Sequence, residues 1–243
     1  MKKIYAEKLI EKNKEAYNLI SKHFSQTRSF LWRDLAQFGR YAKTGDNILD
    51  FGCGNGRLLD VFEGKRVNFF GLDASRELLD EAKKRYQANL KQDYGKKVEF
   101  VAIDSLQIPF KNNFFDCIYS IAVLHHIPSK KFRLELLMEF NRVLKKDGKL
   151  IITSWNLWYG KYLALIFKYA IWKFFGQSQM DFADIMLPWK NQKGEILTKR
   201  YYHAFTKAAL KKLVLKSGFK IEKMGYFGGR NNKANLYIVA KKI

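Results

Sequence analysis

The 243-residue chain carries 45 Lys and Arg against 23 Asp and Glu, a formal charge of +22, with 47% apolar residues and only three prolines. The apolar content and scattered prolines exclude a disordered chain or a linker-joined pair of catalytic domains, while the charge predicts attraction to polyanions. Two cysteines, Cys53 and Cys117, exclude a disulfide scaffold and predict a reducing, cytoplasmic setting.

Residues 2–15 alternate Lys, Glu and apolar side chains as an amphipathic helix does, not as a signal peptide does, and helices are predicted over 5–20 and 28–42. A strand over 47–52, a helix over 56–63, a strand over 67–72 and a helix over 75–90 follow. Strands over 98–103 and 114–121, a helix over 130–145 and a strand over 148–155 complete the series. This alternation predicts an α/β fold, a doubly wound and mostly parallel seven-stranded sheet, with its cofactor-binding core over 45–155. An insertion over 156–205 follows the fifth strand as a cap for the substrate. Within it residues 157–175 are strongly apolar, but Lys161, Lys168 and Lys173 interrupt them. A membrane-spanning helix needs about 20 nearly uncharged residues, so a lid or a peripheral membrane contact is the expectation left open. A helix over 206–217 and two runs, 219–227 and 235–241, end the chain. Between the runs, Gly228-Gly229-Arg230-Asn231-Asn232 reads as a hairpin connection, which makes the terminal strand antiparallel. The whole of 1–243 reads as a single domain.

The most informative segment is Asp50-Phe51-Gly52-Cys53-Gly54-Asn55-Gly56, at the point where the first strand turns into the following helix. Glycines there permit a tight turn and close approach of a ligand to the backbone. The spacing is G-x-G-x-G, which weakens a dinucleotide reading. Asp50 would repel a pyrophosphate and hold a cationic amino group. Asp73, followed by Ala74, ends the second strand, and Asp104, followed by Ser105 and Leu106, ends the third. Three carboxylates at three successive strand ends fit S-adenosylmethionine: its amine near Asp50, its ribose at Asp73, its adenine amino group at Asp104. Ile121, at the end of the fourth strand, completes the expected cofactor set with Gly52, Cys53, Gly54 and Gly56. Four histidines and two cysteines do not fall at metal-ligand spacing, so no metal is expected.

Asp50 to Gly56, Gly71-Leu72-Asp73-Ala74-Ser75 and Asp104 resemble the class I S-adenosylmethionine-dependent methyltransferases, over about residues 45–155. A wider set of residues sharpens the likeness. His23-Phe24-Ser25, Thr27-Arg28 and Trp32 precede the cradle, and Leu124-His125-His126 follows the fourth strand. Leu187-Pro188-Trp189, Arg200-Tyr201-Tyr202-His203 and Asn235-Leu236-Tyr237 come after. Together they resemble the eukaryotic tRNA methyltransferases that esterify 5-carboxymethyluridine at the wobble position. The resemblance implies S-adenosylhomocysteine as co-product, tRNA as partner and a small activating protein subunit as a further one. It also implies Arg28, His125 and His203 as catalytic, with Tyr201, Tyr202, Trp189, Arg200, Lys233 and Asn235 on the substrate.

The chemistry is consistent with that reading on its own terms. A carboxylate acceptor, with a pKa of about 4.3, is already ionised at neutral pH and needs no general base. It needs a cation to dock against, which Arg28 can supply as a bidentate fork, and a hydrogen bond from His203 or His125. Ten basic residues against one acid between Lys207 and Ile243, Lys233 among them, suit a phosphate backbone. Two alternatives stand beside this: a methyltransferase for a quinone, lipid or small carboxylic acid, and a catalytically idle cofactor-binding module.

Overall fold

The computed structural model describes residues 1–28, 33–88, 97–160, 162–229 and 231–243. Trp32, Lys161 and Arg230, singled out from the sequence, lie outside the described residues, as does the end of the helix expected over 75–90. Helix α1, Lys3–Thr27, buries Ala6, Leu9, Asn13, Ala16 and Ile20, a stripe at helical spacing that contains one amide. The core alternates β1 (Asn47–Phe51), β2 (Asn68–Asp73), α2 (Arg76–Ala88), β3 (Lys97–Ala102), β4 (Phe115–Ile121), α3 (Lys130–Val143) and β5 (Leu144–Trp155). Then come α4 (Tyr162–Phe174), β6 (Asp184–Lys190), β7 (Ile196–His203), α5 (Lys207–Lys216), β8 (Phe219–Phe227) and β9 (Asn235–Lys242).

Seven strands form one sheet in the order β3-β2-β1-β4-β5-β9-β8, with β9 antiparallel to both neighbours and the first five parallel. The doubly wound sheet and its antiparallel final strand are therefore as expected. The strand order reverses between β1 and β4, and the crevice beyond their carboxyl ends is where such a sheet takes its ligand. Central strands alternate faces: Leu150 and Ile152 join one core layer with Phe140 and Leu213, Ile151 the other with Phe38 and Phe62.

Two expected α-helices are tighter than predicted. Residues Arg33–Tyr41 and Arg57–Phe62 are 3₁₀ segments. The second starts straight from Gly56 in the left-handed region, with no side-chain cap to launch an α-helix. The insertion contains a two-stranded antiparallel sheet, β6 with β7, that was not among the predicted elements. Helix α4 packs Ile166 inward but leaves Phe167, Ile171 and Phe174 exposed. Among the described residues no helix is long and apolar enough to cross a membrane.

Candidate active site

The carboxyl ends of β1, β2 and β4 open into a cleft of about 610 Å³, roofed by α1 and the insertion. Its floor is the glycine turn. Gly52 sits at φ +75°, and a Cβ there would run into Val123. Its N–H donates to the Leu72 carbonyl at 2.6 Å. The Gly54 N–H donates to one oxygen of Asp73 and the Ser75 N–H to the other, each at 2.8 Å. Burial pushes the Asp73 carboxyl up and these N–H groups oppose it. One carboxylate thus ties β2 to the cradle while keeping lone pairs for a diol.

Asp50 is buried, and its Oδ2 has no hydrogen-bond partner among the described residues. Burial, and then Asp73, push its carboxyl well above the usual range. A buried acid left without a donor is costly unless a ligand supplies one. Burial likewise raises the Cys53 thiol far above its ordinary value, so it is an inert wall residue. At the mouth Asp104 pairs with Lys14 of α1 at 3.0 Å, and that ammonium holds its carboxyl low. Ala74, Ser105, Leu106 and Ile121 also line the cleft. Gly56 does not: at φ +73° it turns away beneath α2 and β3, where a Cβ would sit 3.1 Å from Ala82 and Phe100. Its place in the expected cofactor set is therefore a packing role.

The opposite end of the cleft is cationic and aromatic. The Arg200 guanidinium lies 4.6 Å from the Trp189 ring centre and 5.3 Å from those of Tyr17 and Tyr202. Its Nη1 donates to the Tyr17 hydroxyl at 3.1 Å, which in turn donates to His126 Nε2 at 2.8 Å. His126 Nδ1 faces the Tyr201 carbonyl at 2.9 Å. A carbonyl only accepts, so the proton of His126 sits on Nδ1. Its neighbour takes the other tautomer. Trp155 N–H and the Ser154 hydroxyl converge on His125 Nδ1, which leaves Nε2–H in the cleft wall without a partner among the described residues. Burial, helped by the mutual repulsion with His126 and Arg200, holds His125 well below the imidazole range, and burial brings His126 down to about 3. Both are neutral at physiological pH. Arg28 ends α1; its carbonyl accepts from Asn55 at 3.2 Å and its guanidinium lies 5.8 Å from the Trp189 ring centre.

Four residues expected on the substrate lie off the cleft. Successive side chains of a strand point to opposite faces, so the Arg-Tyr-Tyr-His block of β7 divides. Arg200 lines the cleft, and Tyr202 stacks on His125 behind it. Tyr201 points away and meets Arg133 at 3.3 Å. His203 points away too, its Nδ1 bonded at 2.7 Å to the buried Asp184, which makes it a structural group rather than a catalytic one. Lys233 is exposed on the final hairpin, where its carbonyl accepts from Asn156, and Asn235 is buried in β9 opposite Trp155. The sequence reading missed Asn13, Lys14 and Tyr17 of α1 and Arg57, all of which line the cleft.

An unpaired buried acid at the glycine turn, a second acid tied to the cradle and the apolar residues of the wall fit S-adenosylmethionine as the group the cleft holds. The family model for the methyltransferase domain matches residues 49–152, the span containing both acids. Residues 49–152 are a methyltransferase domain. The chain is 34% identical over 143 residues to tRNA (carboxymethyluridine(34)-5-O)-methyltransferase alkbh8 of Xenopus tropicalis, covering 59% of this chain and 21% of that protein. It thus spans about a fifth of the length of that relative. It is 29% identical to the Schizosaccharomyces pombe tRNA (carboxymethyluridine(34)-5-O)-methyltransferase, over 94% of this chain and 95% of that one. A SAM-dependent methyltransferase from Methanosarcina mazei superposes with a TM-score of 0.71 at 25% identity, covering 88% of this chain and 99% of that one. The matched span takes in the glycine turn and most of the five parallel strands, whereas β8 and β9 of the sheet, and α1 and β6–β7 at the cationic end of the cleft, lie outside it.

Proposed function

We propose that the chain methylates the carboxylate of 5-carboxymethyluridine at the wobble position of tRNA, in the cytoplasm, with residues 1–243 acting as one unit and 156–205 as its cap. The observation that carries this reading is a cleft with acids at its donor end and guanidiniums at its acceptor end. When bound, S-adenosylmethionine supplies an electrophilic methyl group on a sulfonium. Asp50 and Asp73 hold that donor, and Arg28 and Arg200 dock the ionised acceptor carboxylate. Trp189 and Tyr17 offer ring faces for a splayed base. His125, neutral with Nε2–H free, donates a hydrogen bond and takes no proton, which suits a nucleophile already deprotonated. Orientation and exclusion of water then carry the rate, and such positioning is worth roughly 7–11 kcal/mol in well-ordered systems. The relatives' names, a net charge of +22 and the arginine end together favour tRNA over a small-molecule acceptor.

The test is incubation of the full chain with labelled donor and total tRNA, with and without a small activating subunit, followed by mass spectrometry of the nucleosides. The expected product is the methyl ester of the wobble nucleoside. Label in a lipid extract and none in tRNA refutes the proposal.

A further inference from the structure

The Tyr17 hydroxyl, on α1, is held from two sides: it accepts from Arg200 Nη1 at 3.1 Å and donates to His126 Nε2 at 2.8 Å. That direction is fixed. His126 Nδ1 keeps its proton against the Tyr201 carbonyl at 2.9 Å, so Nε2 only accepts and the single hydrogen of the phenol points to it. A lone pair is left for the arginine. The ring is held too, meeting those of Phe24 and His126 edge to face at 5.9 and 5.3 Å. Arg200 is 4% exposed and packed among the rings of Tyr17, Trp189 and Tyr202, so the hydroxyl sets which way its guanidinium faces.

What remains of Arg200 is one edge. Nη1 is the nitrogen on the Cδ side of the fork, so tying it leaves Nε–H and one Nη2–H as two parallel donors. Nε is buried with no partner among the described residues, and Nη2 makes no hydrogen bond to any of them. A buried N–H of a cation is costly to leave without an acceptor, and a ligand in the cleft can supply one. The complement of such an edge is a carboxylate taken side-on, one oxygen on each N–H. The amide of the same acid has the same shape, but its NH2 would set donor against donor and it brings no charge. Arg28 has no comparable hold: its Nη1 donates to the neighbouring Thr27 carbonyl at 3.1 Å, at the exposed end of α1.

We infer that Tyr17, locked by His126, is a positioning residue that turns the Nε–Nη2 edge of Arg200 to the acceptor carboxylate, and that this edge selects the ionised acid over its neutral amide. The inference rests on the carboxylate reading of the acceptor and deepens it. It is tested on the full chain, saturated with S-adenosylhomocysteine so that nothing turns over, by fluorescence anisotropy with two anticodon stem-loops. These differ only at the wobble base, 5-carboxymethyluridine in one and its amide, 5-carbamoylmethyluridine, in the other. The native chain is expected to prefer the acid by about tenfold or more. Tyr17→Phe is expected to cut that preference about threefold or more, and Arg200→Gln at least as far. The double variant is expected to lose no more than Arg200→Gln alone, because the phenol acts through the guanidinium. Calorimetric affinity for S-adenosylmethionine, within about twofold of native in every variant, shows that the fold is intact. Equal weakening for both RNAs in Tyr17→Phe marks a merely structural residue and overturns the inference. Additive losses in the double variant overturn it as well, since they put Tyr17 itself on the acceptor. Should Tyr17→Phe fail to fold, Arg200→Lys, which keeps the charge without the parallel fork, is expected to lose about threefold in preference, and a preference kept in full overturns the inference. A native chain that esterifies the acid yet binds both RNAs equally overturns this inference and leaves the reaction standing. A native chain that prefers the acid and forms no ester refutes the reaction and leaves the Arg200 edge assigned, and one that does neither refutes both.

Discussion

Acid sensitivity should track His126. In the folded chain its imidazole has a pKa of about 3, against an ordinary 6.5, because burial disfavours the cation and Arg200 repels it. The unfolded chain therefore binds a proton that the folded chain refuses. The stability this residue contributes is fully present above pH 6.5 and is lost as pH falls towards 3. At 1.36 kcal/mol per pKa unit the whole window amounts to about 5 kcal/mol, and about half is gone by pH 4.5. Structurally, protonation would put a hydrogen on Nε2, where the Tyr17 hydroxyl now donates, and so would reverse that bond and set a second cation beside Arg200. The comparison is urea unfolding of the native chain and His126→Asn between pH 7.5 and 4. Asparagine keeps an N–H for the Tyr201 carbonyl but never ionises. His125 and His203, also held low by burial, remain in both proteins, so the difference between the two curves reads His126 together with its repulsion of His125. The variant starts lower at pH 7.5, and the native slope exceeds its slope by about 1.4 kcal/mol per pH unit between pH 6 and 4. Parallel curves would show that His126 is not held neutral by the fold.

Two further outcomes follow from local geometry. Asn13→Ala removes the acceptor at 2.7 Å from the buried Tyr201 N–H and the donor to the His126 and Tyr201 carbonyls. An unpaired buried amide costs about 1–3 kcal/mol, so the urea midpoint should fall with the m-value unchanged. Gly52→Ala is strained twice, by its φ of +75° and by Val123. It should cost about 1–3 kcal/mol and weaken donor binding; in a Val123→Ala background the steric part should be relieved and the left-handed backbone part should persist, as measured by thermal melting and donor titration.

The parts of this protein visible in its sequence are those governed by short-range rules. A glycine turn between an apolar run and a helix, acids at successive strand ends and a Gly-Asn-rich connection each impose a local geometry, and the parallel sheet, the donor half of the cleft and the antiparallel β9 follow from them. The cationic, aromatic half is assembled from afar: Tyr17 and Arg200 meet although 183 residues separate them, and Trp189 donates to His23 across 166. One clue was present in α1, since Asn13 interrupts an otherwise apolar stripe, and an amide in a buried stripe must have backbone to satisfy elsewhere.

The Arg-Tyr-Tyr-His block shows where pattern reading goes wrong. Taken as a motif, its four residues seem to act together; taken as a strand, they cannot, because the pleat sends alternate side chains to opposite faces. A strand crossing a cavity wall can give that cavity only every second residue. Arg200 and Tyr202 therefore face the cleft side, while Tyr201 and His203 are spent on Arg133 and Asp184, where they anchor β7 to the rest of the fold. Both pairs matter to the site, but through different physics. Losing Arg200 removes a cation from the cleft wall, whereas losing the His203–Asp184 pair loosens the strand that presents Arg200.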